Sequence, residues 1–367
     1  MSSFLSSRGL RAWAVVAAAV VALLTPSALP AYADPPVPQG PPSLTDGHGL
    51  TQVGSVGTAT DFTITVTTTA VAKQHPVRII LPPGYWDDPT RRYPVLYFLH
   101  GSPDSPVNQN YPALRGSTSM ITVIPDGGPR GWYSNWRDQN TAAGAQKWET
   151  FHLGQVIPFI DDNLRTVAAK RGRAVAGISM GGFGAMRYAQ RHPELFTEVA
   201  SLSGGLDLSA ASMDLRLAVV ASLTNAPGGF CGASSSTGGD CTGSYTPAVS
   251  SDALFGSPYP VFDLDRLWNE ADPAAHMSRL AGIGISIYTG SGAGNPLALE
   301  FWIEGANKHA RDSLDALHLP YHYVGYGDGA GWGTHCNGDH NAGCWAQDLV
   351  DWIPRLERAF AASLGSA

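Results

Sequence analysis

The hydrophobic positions of this chain change period along its length. FTITVTTTAV (Phe62 to Val71) alternates apolar and polar residues, the pattern of a half-buried strand. PVRIILPPGY (Pro76 to Tyr85) ends in a Pro-Pro-Gly turn, and YPVLYFLHG (Tyr93 to Gly101) is a continuous apolar run stopped by glycine. A run of that kind predicts a central strand buried on both faces. Further strands are expected at Met120 to Ile124, Ala174 to Ile178, Val199 to Leu202, Ile285 to Thr289 and Tyr321 to Tyr326. Helical periodicity falls between and after them, at Trp148 to Leu164, Gly181 to Gln190, Leu297 to Leu317 and Trp345 to Ala362. Alternation of this type predicts an α/β architecture, a mostly parallel sheet with helices on both faces, whose chemistry gathers at the carboxyl ends of the strands.

Two segments break the rhythm. Residues 34–60 begin DPPVPQGPPSLTDGHG and are expected to form an extended Pro/Gly-rich leader ahead of a catalytic domain spanning 61–367. Residues 207–268, rich in Gly, Ser and Pro, are expected to form a lid insertion. At the N-terminus, Arg8 and Arg11 precede an apolar run from Ala12 to Leu24, and Ala31 and Ala33 frame an Ala-Tyr-Ala signal. This arrangement predicts a secretory signal peptide, residues 1–33, cleaved after Ala33. The run is shorter than the roughly 20 residues a spanning helix needs, so no integral membrane segment is expected in the mature chain.

With 44% hydrophobic and 14% charged residues the chain can bury a full core. Its net charge of -7 comes without a block of like charge, which argues against a nucleic-acid partner. Export favours disulfides among the four cysteines. They fall into two close pairs, Cys231 with Cys241 and Cys336 with Cys344, and each local bridge would close a short Gly-rich loop. Metal binding by Cys336, His340 and Cys344 is the alternative for the second pair, although no C-x-x-C spacing supports it. No metal and no cofactor is expected.

The most informative motif is GISMGG, Gly177 to Gly182, between an apolar strand and a helical segment. It is a G-x-S-x-G nucleophile elbow, in which small residues allow the tight turn that lifts the Ser179 hydroxyl clear of the sheet. At the start of the next helix, the Met180 N–H is available to an oxyanion. Chain order then places an acid, followed by a histidine, nearer the C-terminus. GWGTHCNGDHNAGCW, Gly331 to Trp345, holds His335 and His340, and both are open as the base.

YSNW (Tyr133 to Trp136), KWETF (Lys147 to Phe151), GISMGG, LSGGLD (Leu202 to Asp207), Asp272-Pro, GTH (Gly333 to His335) and WAQDL (from Trp345) together resemble the antigen 85 mycolyltransferases and the wider esterase D group. The likeness runs from about Pro76 to Phe360 and implies an α/β-hydrolase fold. It also implies a Ser-His-Glu triad: GTH maps the base onto His335, with CNGDHNAGC as an insertion after it, and the acid aligns with Glu300, or with Glu304 one turn later. The second oxyanion donor implied is the N–H of Ser102, since Pro103 has none to give. The chain departs from the mycolyltransferases at His100, Gly101, Ser102 and Pro103, where they carry Asp-Gly, a large apolar residue and an arginine tied to trehalose. A secreted serine carboxylesterase acting on a small-molecule or lipid ester is therefore expected. The alternatives are an acyltransferase to a sugar or glycerol hydroxyl and a non-catalytic secreted binding protein.

Overall fold

A computed structural model of the chain describes residues 38–224, 247–259 and 265–365. The expected signal peptide and the Cys231–Cys241 pair lie outside the described residues. Among those described, the strands are β1 (Thr51–Gly57), β2 (Asp61–Thr67), β3 (Gln74–Ile80), β4 (Val95–Leu99), β5 (Ile121–Pro125), β6 (Arg173–Ile178), β7 (Glu198–Leu202), β8 (Gly284–Gly290) and β9 (His322–Gly327). They form one sheet in the order β1-β2-β3-β5-β4-β6-β7-β8-β9. β1, β2 and β3 are antiparallel, β3 joins β5 antiparallel, and every pairing from β5 through β4 to β9 is parallel.

The helices are α1 (Pro112–Arg115), α2 (Ile157–Asn163), α3 (Met180–Arg191), α4 (Met213–Thr224), α5 (Arg266–Ala271), α6 (Leu299–Ala316) and α7 (Ala342–Gly365). Alternate residues of the fully buried β4 enter opposite cores. Val95, Tyr97 and Leu99 pack in the cluster containing Phe183 of α3 and Ile303 of α6. Leu96 and Phe98 pack in the cluster containing Leu349, Trp352 and Phe360 of α7. A strand so placed needs apolar residues at every position, which is why YPVLYFLHG shows no alternation. β2, by contrast, buries only Phe62, Ile64 and Val66.

Three expectations are modified. β1 lies inside the segment expected to be a leader, pairing with β2 at the sheet edge. The helix expected over 148–164 is a π-helical segment, Thr150–Val156, running into α2. Pro158 offers no N–H to the carbonyl four residues back, and Ile157 instead donates to His152. Finally, the segment expected to be a Gly/Ser-rich lid contains α4, an apolar helix whose Leu215, Val219 and Leu223 are buried.

Candidate active site

β6 delivers Ser179 at its carboxyl end, between Ile178 and the first residue of α3. Ser179 has φ 54° and ψ −121°, a region that a residue with a side chain enters only when its surroundings force it, at a cost of about 1–3 kcal/mol. The surroundings here are backbone. Ser179 N–H donates to the Leu202 carbonyl at 2.9 Å, and its own carbonyl accepts from Phe183 at 3.1 Å. Glycine at 177 is obligatory, because a Cβ there would lie 2.7 Å from the Leu99 carbonyl oxygen and closer still to Gly181.

Glu300, in the first turn of α6, is wholly buried. One carboxylate oxygen accepts from the Gly290 N–H at 2.8 Å, the Ser203 hydroxyl at 2.8 Å and the Thr289 hydroxyl at 3.1 Å. The other faces Nδ1 of His340 at 2.7 Å. Glu304, left open by the sequence, pairs instead with Lys308 at 3.0 Å.

The histidine beside Ser179 is His340, not His335. Nε2 of His340 is 2.9 Å from the Ser179 hydroxyl. With a carboxylate at one ring nitrogen and a hydroxyl at the other, the Nδ1–H tautomer satisfies both: Nδ1 donates to Glu300, and Nε2 accepts from Ser179. His335 is exposed and makes no hydrogen bond to either residue.

The reason lies in how the loop after β9 is tied down. Its ring closes through the disulfide Cys336–Cys344. Within that ring the Gly338 carbonyl accepts from the Gly292 N–H at 2.8 Å, so the ring docks on the loop linking β8 to α6, which also leads to Glu300. Trp332 anchors the start of the loop, stacking on Tyr326 and donating to the buried Asp348 at 2.7 Å. Burial pushes the Asp348 carboxyl well above the usual carboxylate range, although the Trp332 N–H works the other way. His340 leaves this ring with its edge against Trp345 and only 13% of its side chain exposed. In this geometry both sulfurs are bonded to each other and both imidazole nitrogens of His340 are engaged.

The expected oxyanion donors flank the serine. Met180 opens α3, where N–H groups have no partner within the helix. Gly101 lies so close that a Cβ on it would sit 3.2 Å from the Ser179 Cβ. The Gly101 carbonyl accepts from His100 Nδ1 at 2.8 Å and from the Asp104 N–H at 3.0 Å. Gly127 N–H donates to His100 Nε2 at 2.8 Å, which fixes that tautomer. A trans peptide points its N–H opposite its carbonyl, so these bonds set the direction of the Ser102 N–H. Asp104 is occupied by Ser105, Asn108 and Gln109, which turn the following loop.

YSNW and KWETF serve as scaffold. The Tyr133 hydroxyl donates to the His100 carbonyl at 2.9 Å, and its ring fills the space against Gly127 and Gly184. Burial disfavours the Glu149 charge, but hydrogen bonds from His192 and Arg191, both at 2.9 Å, outweigh it and hold the carboxyl down at about 2.

The family described as putative esterase matches residues 68–356. Over 146 residues the chain is 42% identical to Esterase Rv1288 of Mycobacterium tuberculosis, covering 38% of this chain and 31% of that relative's length. It is 26% identical over 258 residues to the diacylglycerol acyltransferase/mycolyltransferase Ag85B of Mycobacterium avium, covering 68% of each. Among solved structures, Mycobacterium tuberculosis MPT51 superposes with a TM-score of 0.59 at 20% identity, over 81% of this chain and 97% of that one. An S-formylglutathione hydrolase from Agrobacterium tumefaciens gives 0.56 at 13% identity, over 83% and 98%. The nine-stranded sheet is thus an α/β-hydrolase fold, and the chain, which spans about a third of the length of the first curated relatives it matches, belongs to the putative esterase family, in its antigen 85-like group.

Proposed function

We propose that the protein is an exported serine carboxylesterase working through an acyl-enzyme on Ser179. The observation that carries this reading is the unbroken chain of contacts from Ser179 to His340 at 2.9 Å and from His340 to Glu300 at 2.7 Å. As the Ser179 oxygen attacks the ester carbonyl, its proton passes to Nε2 of His340, and Glu300 stabilises the imidazolium. The N–H groups of Met180 and Ser102 receive the negative charge of the tetrahedral oxygen. Collapse breaks the bond to the alcohol, which leaves with the proton from His340. Water then enters by the same path in reverse, releasing the acid and restoring the serine. Export rests on the N-terminal signal and cleavage after Ala33, and N-terminal sequencing of the secreted protein checks it.

Transfer to a second alcohol is the competing outcome, favoured by the Ag85B relatives, whose names carry acyltransferase activity. Both outcomes share the acyl-enzyme, so the acceptor decides between them. Water is preferred here because the loop after β4 carries no arginine and its Asp104 is bound within its own turn. The test incubates the enzyme with a p-nitrophenyl ester with and without trehalose, glucose and glycerol, measuring free acid against acylated product. Free acid is expected to dominate at millimolar acceptor; dominance of acyl-sugar would make the enzyme a transferase. Ser179→Ala run beside it separates catalysis from a mere binding role, since a non-catalytic protein would give equal turnover in both forms.

A further inference from the structure

Among the described residues, the site contains a compartment that neither His340 nor Glu300 lines. An apolar cavity of ≈ 20 Å³ opens beside Ser179, walled by Trp132, Met180, Leu215, Ala218, Val219 and Ile303. No residue of the loop bearing His340 lines it. The alcohol of an ester must leave within reach of His340 Nε2, because that nitrogen supplies its proton. The cavity therefore lies on the acyl side, next to the residue whose N–H would hold the oxyanion.

Among the described residues its size is set by packing. One wall is α4, and α4 is tied down along its length. Trp132 Nε1 donates to the Ser222 hydroxyl at 3.0 Å, Arg130 donates to the Leu223 carbonyl at 2.8 Å, and the buried Arg216 donates to the Leu208 carbonyl at 2.7 Å. The facing wall, Leu299 and Ile303, belongs to α6, whose first turn holds Glu300. Moving either wall outward would break buried hydrogen bonds or disturb the carboxylate that orients His340. A space of this volume takes about one or two water-sized groups.

The geometry points to a short-chain acyl specificity set by this cavity: the enzyme accepts acyl groups of about two to four carbons, with Leu215, Ala218 and Val219 of α4 as the residues that set the limit. This inference rests on the esterase reading and adds the substrate class to it. A longer straight chain must either displace packed side chains or leave its methylenes in water, and each methylene changes discrimination by a factor of roughly 10 or more when a pocket cannot hold it.

The test is kcat/KM for p-nitrophenyl acetate, butyrate, hexanoate, octanoate and decanoate, with fluorophosphonate labelling of Ser179 measured alongside. The wild-type enzyme is expected to favour acetate or butyrate over octanoate by about 10³-fold or more, several methylenes each contributing roughly 10-fold. Leu215→Ala and Val219→Ala should move the optimum to longer chains, and Ala218→Phe, on a half-exposed position of α4, should confine activity to acetate. Labelling at the wild-type rate identifies variants that are folded with the triad intact. Equal turnover of butyrate and decanoate by the wild-type enzyme, or an unchanged profile in all correctly labelled variants, would overturn the inference. Absence of both cleavage and labelling in the wild type carries a different signature and would overturn the esterase reading beneath it.

Discussion

Ser179 and His340 are 2.9 Å apart, yet the two are held in place by different means. Ser179 is fixed from within its own motif, where the close approach of Gly177 and Gly181 to the carbonyl of Leu99 leaves the backbone one path. His340 sits on a Gly-rich loop with little core of its own, and a set of cross-links holds it: the local Cys336–Cys344 bridge, the Gly292-to-Gly338 hydrogen bond and the Trp332–Asp348 contact. A local steric constraint survives insertions elsewhere in the chain. A histidine on a loop needs only to arrive at the serine, and the loop can change length and composition provided its ends and docking points persist.

The sharpest way to break this contrast is to replace the two residues proposed to react and the histidine that lies away from them. Ser179→Ala and His340→Ala should each lower kcat by about 10³-fold or more, with the double variant little worse, because the residues act as a unit. His335→Ala should stay within about 3-fold of wild type, as expected of an exposed side chain off the reaction path. Steady-state kinetics on a p-nitrophenyl ester decide it, and a dead His335→Ala beside an active His340→Ala would refute the assignment.

Glu300→Gln probes the tie between the two regions. The amide keeps the shape but presents the wrong group to Nδ1, so a fall in kcat on the order of 10³-fold is expected, with KM nearly unchanged. An equal loss in Glu304→Gln would mean that the partner of His340 has been misassigned.

The loop's dependence on its tether is tested by the Cys336→Ser, Cys344→Ser double variant. Closing a loop with a sequence separation of 8 is worth ~2–3 kcal/mol. Tm should fall accordingly, and kcat should drop by about 10-fold or more as His340 loses its fixed position. Fluorophosphonate labelling at the wild-type rate in this variant would show that the docking hydrogen bonds suffice alone.

The smallest effect concerns the scaffold away from both regions. Glu149 has its folded-state value depressed to about 2, below the usual value of about 4.3. Its contribution is therefore complete above the unfolded value and is lost as pH falls from about 5 towards 2, by an amount on the order of 2 kcal/mol. Thermal unfolding followed over that range should show a shallower acid loss in Glu149→Gln than in wild type.

How much could be read beforehand differs between elements in the same way. The parallel strands were legible because burial on both faces demands unbroken apolar runs, as in Val95 to Leu99 and Ala174 to Ile178. α4 was hidden because the glycines and serines around it dominate the composition of residues 207–268, while its own twelve residues are apolar on nearly every side. The π-helical segment was missed because hydrophobic periodicity cannot register a single proline that shifts the hydrogen-bond ladder. Glu300 was found together with Glu304, since helical spacing puts both on one face, and only the buried donors Gly290, Ser203 and Thr289 distinguish them.

The residues leave His335 and His340 open, and the resemblance favours His335 because that histidine ends GTH. Counting back from Trp345, which opens the last helix in the resembled motif, puts His340 nearer that helix than His335. The sequence by itself determined the layered α/β architecture and the strained turn that carries Ser179, because apolar runs and a glycine-framed serine act through steric rules within a few residues. Only the tertiary structure decided which histidine meets that serine and which glutamate meets the histidine: hydrogen-bond reach is a distance between side chains far apart in sequence, set by where the tethered loop docks beyond the end of β8.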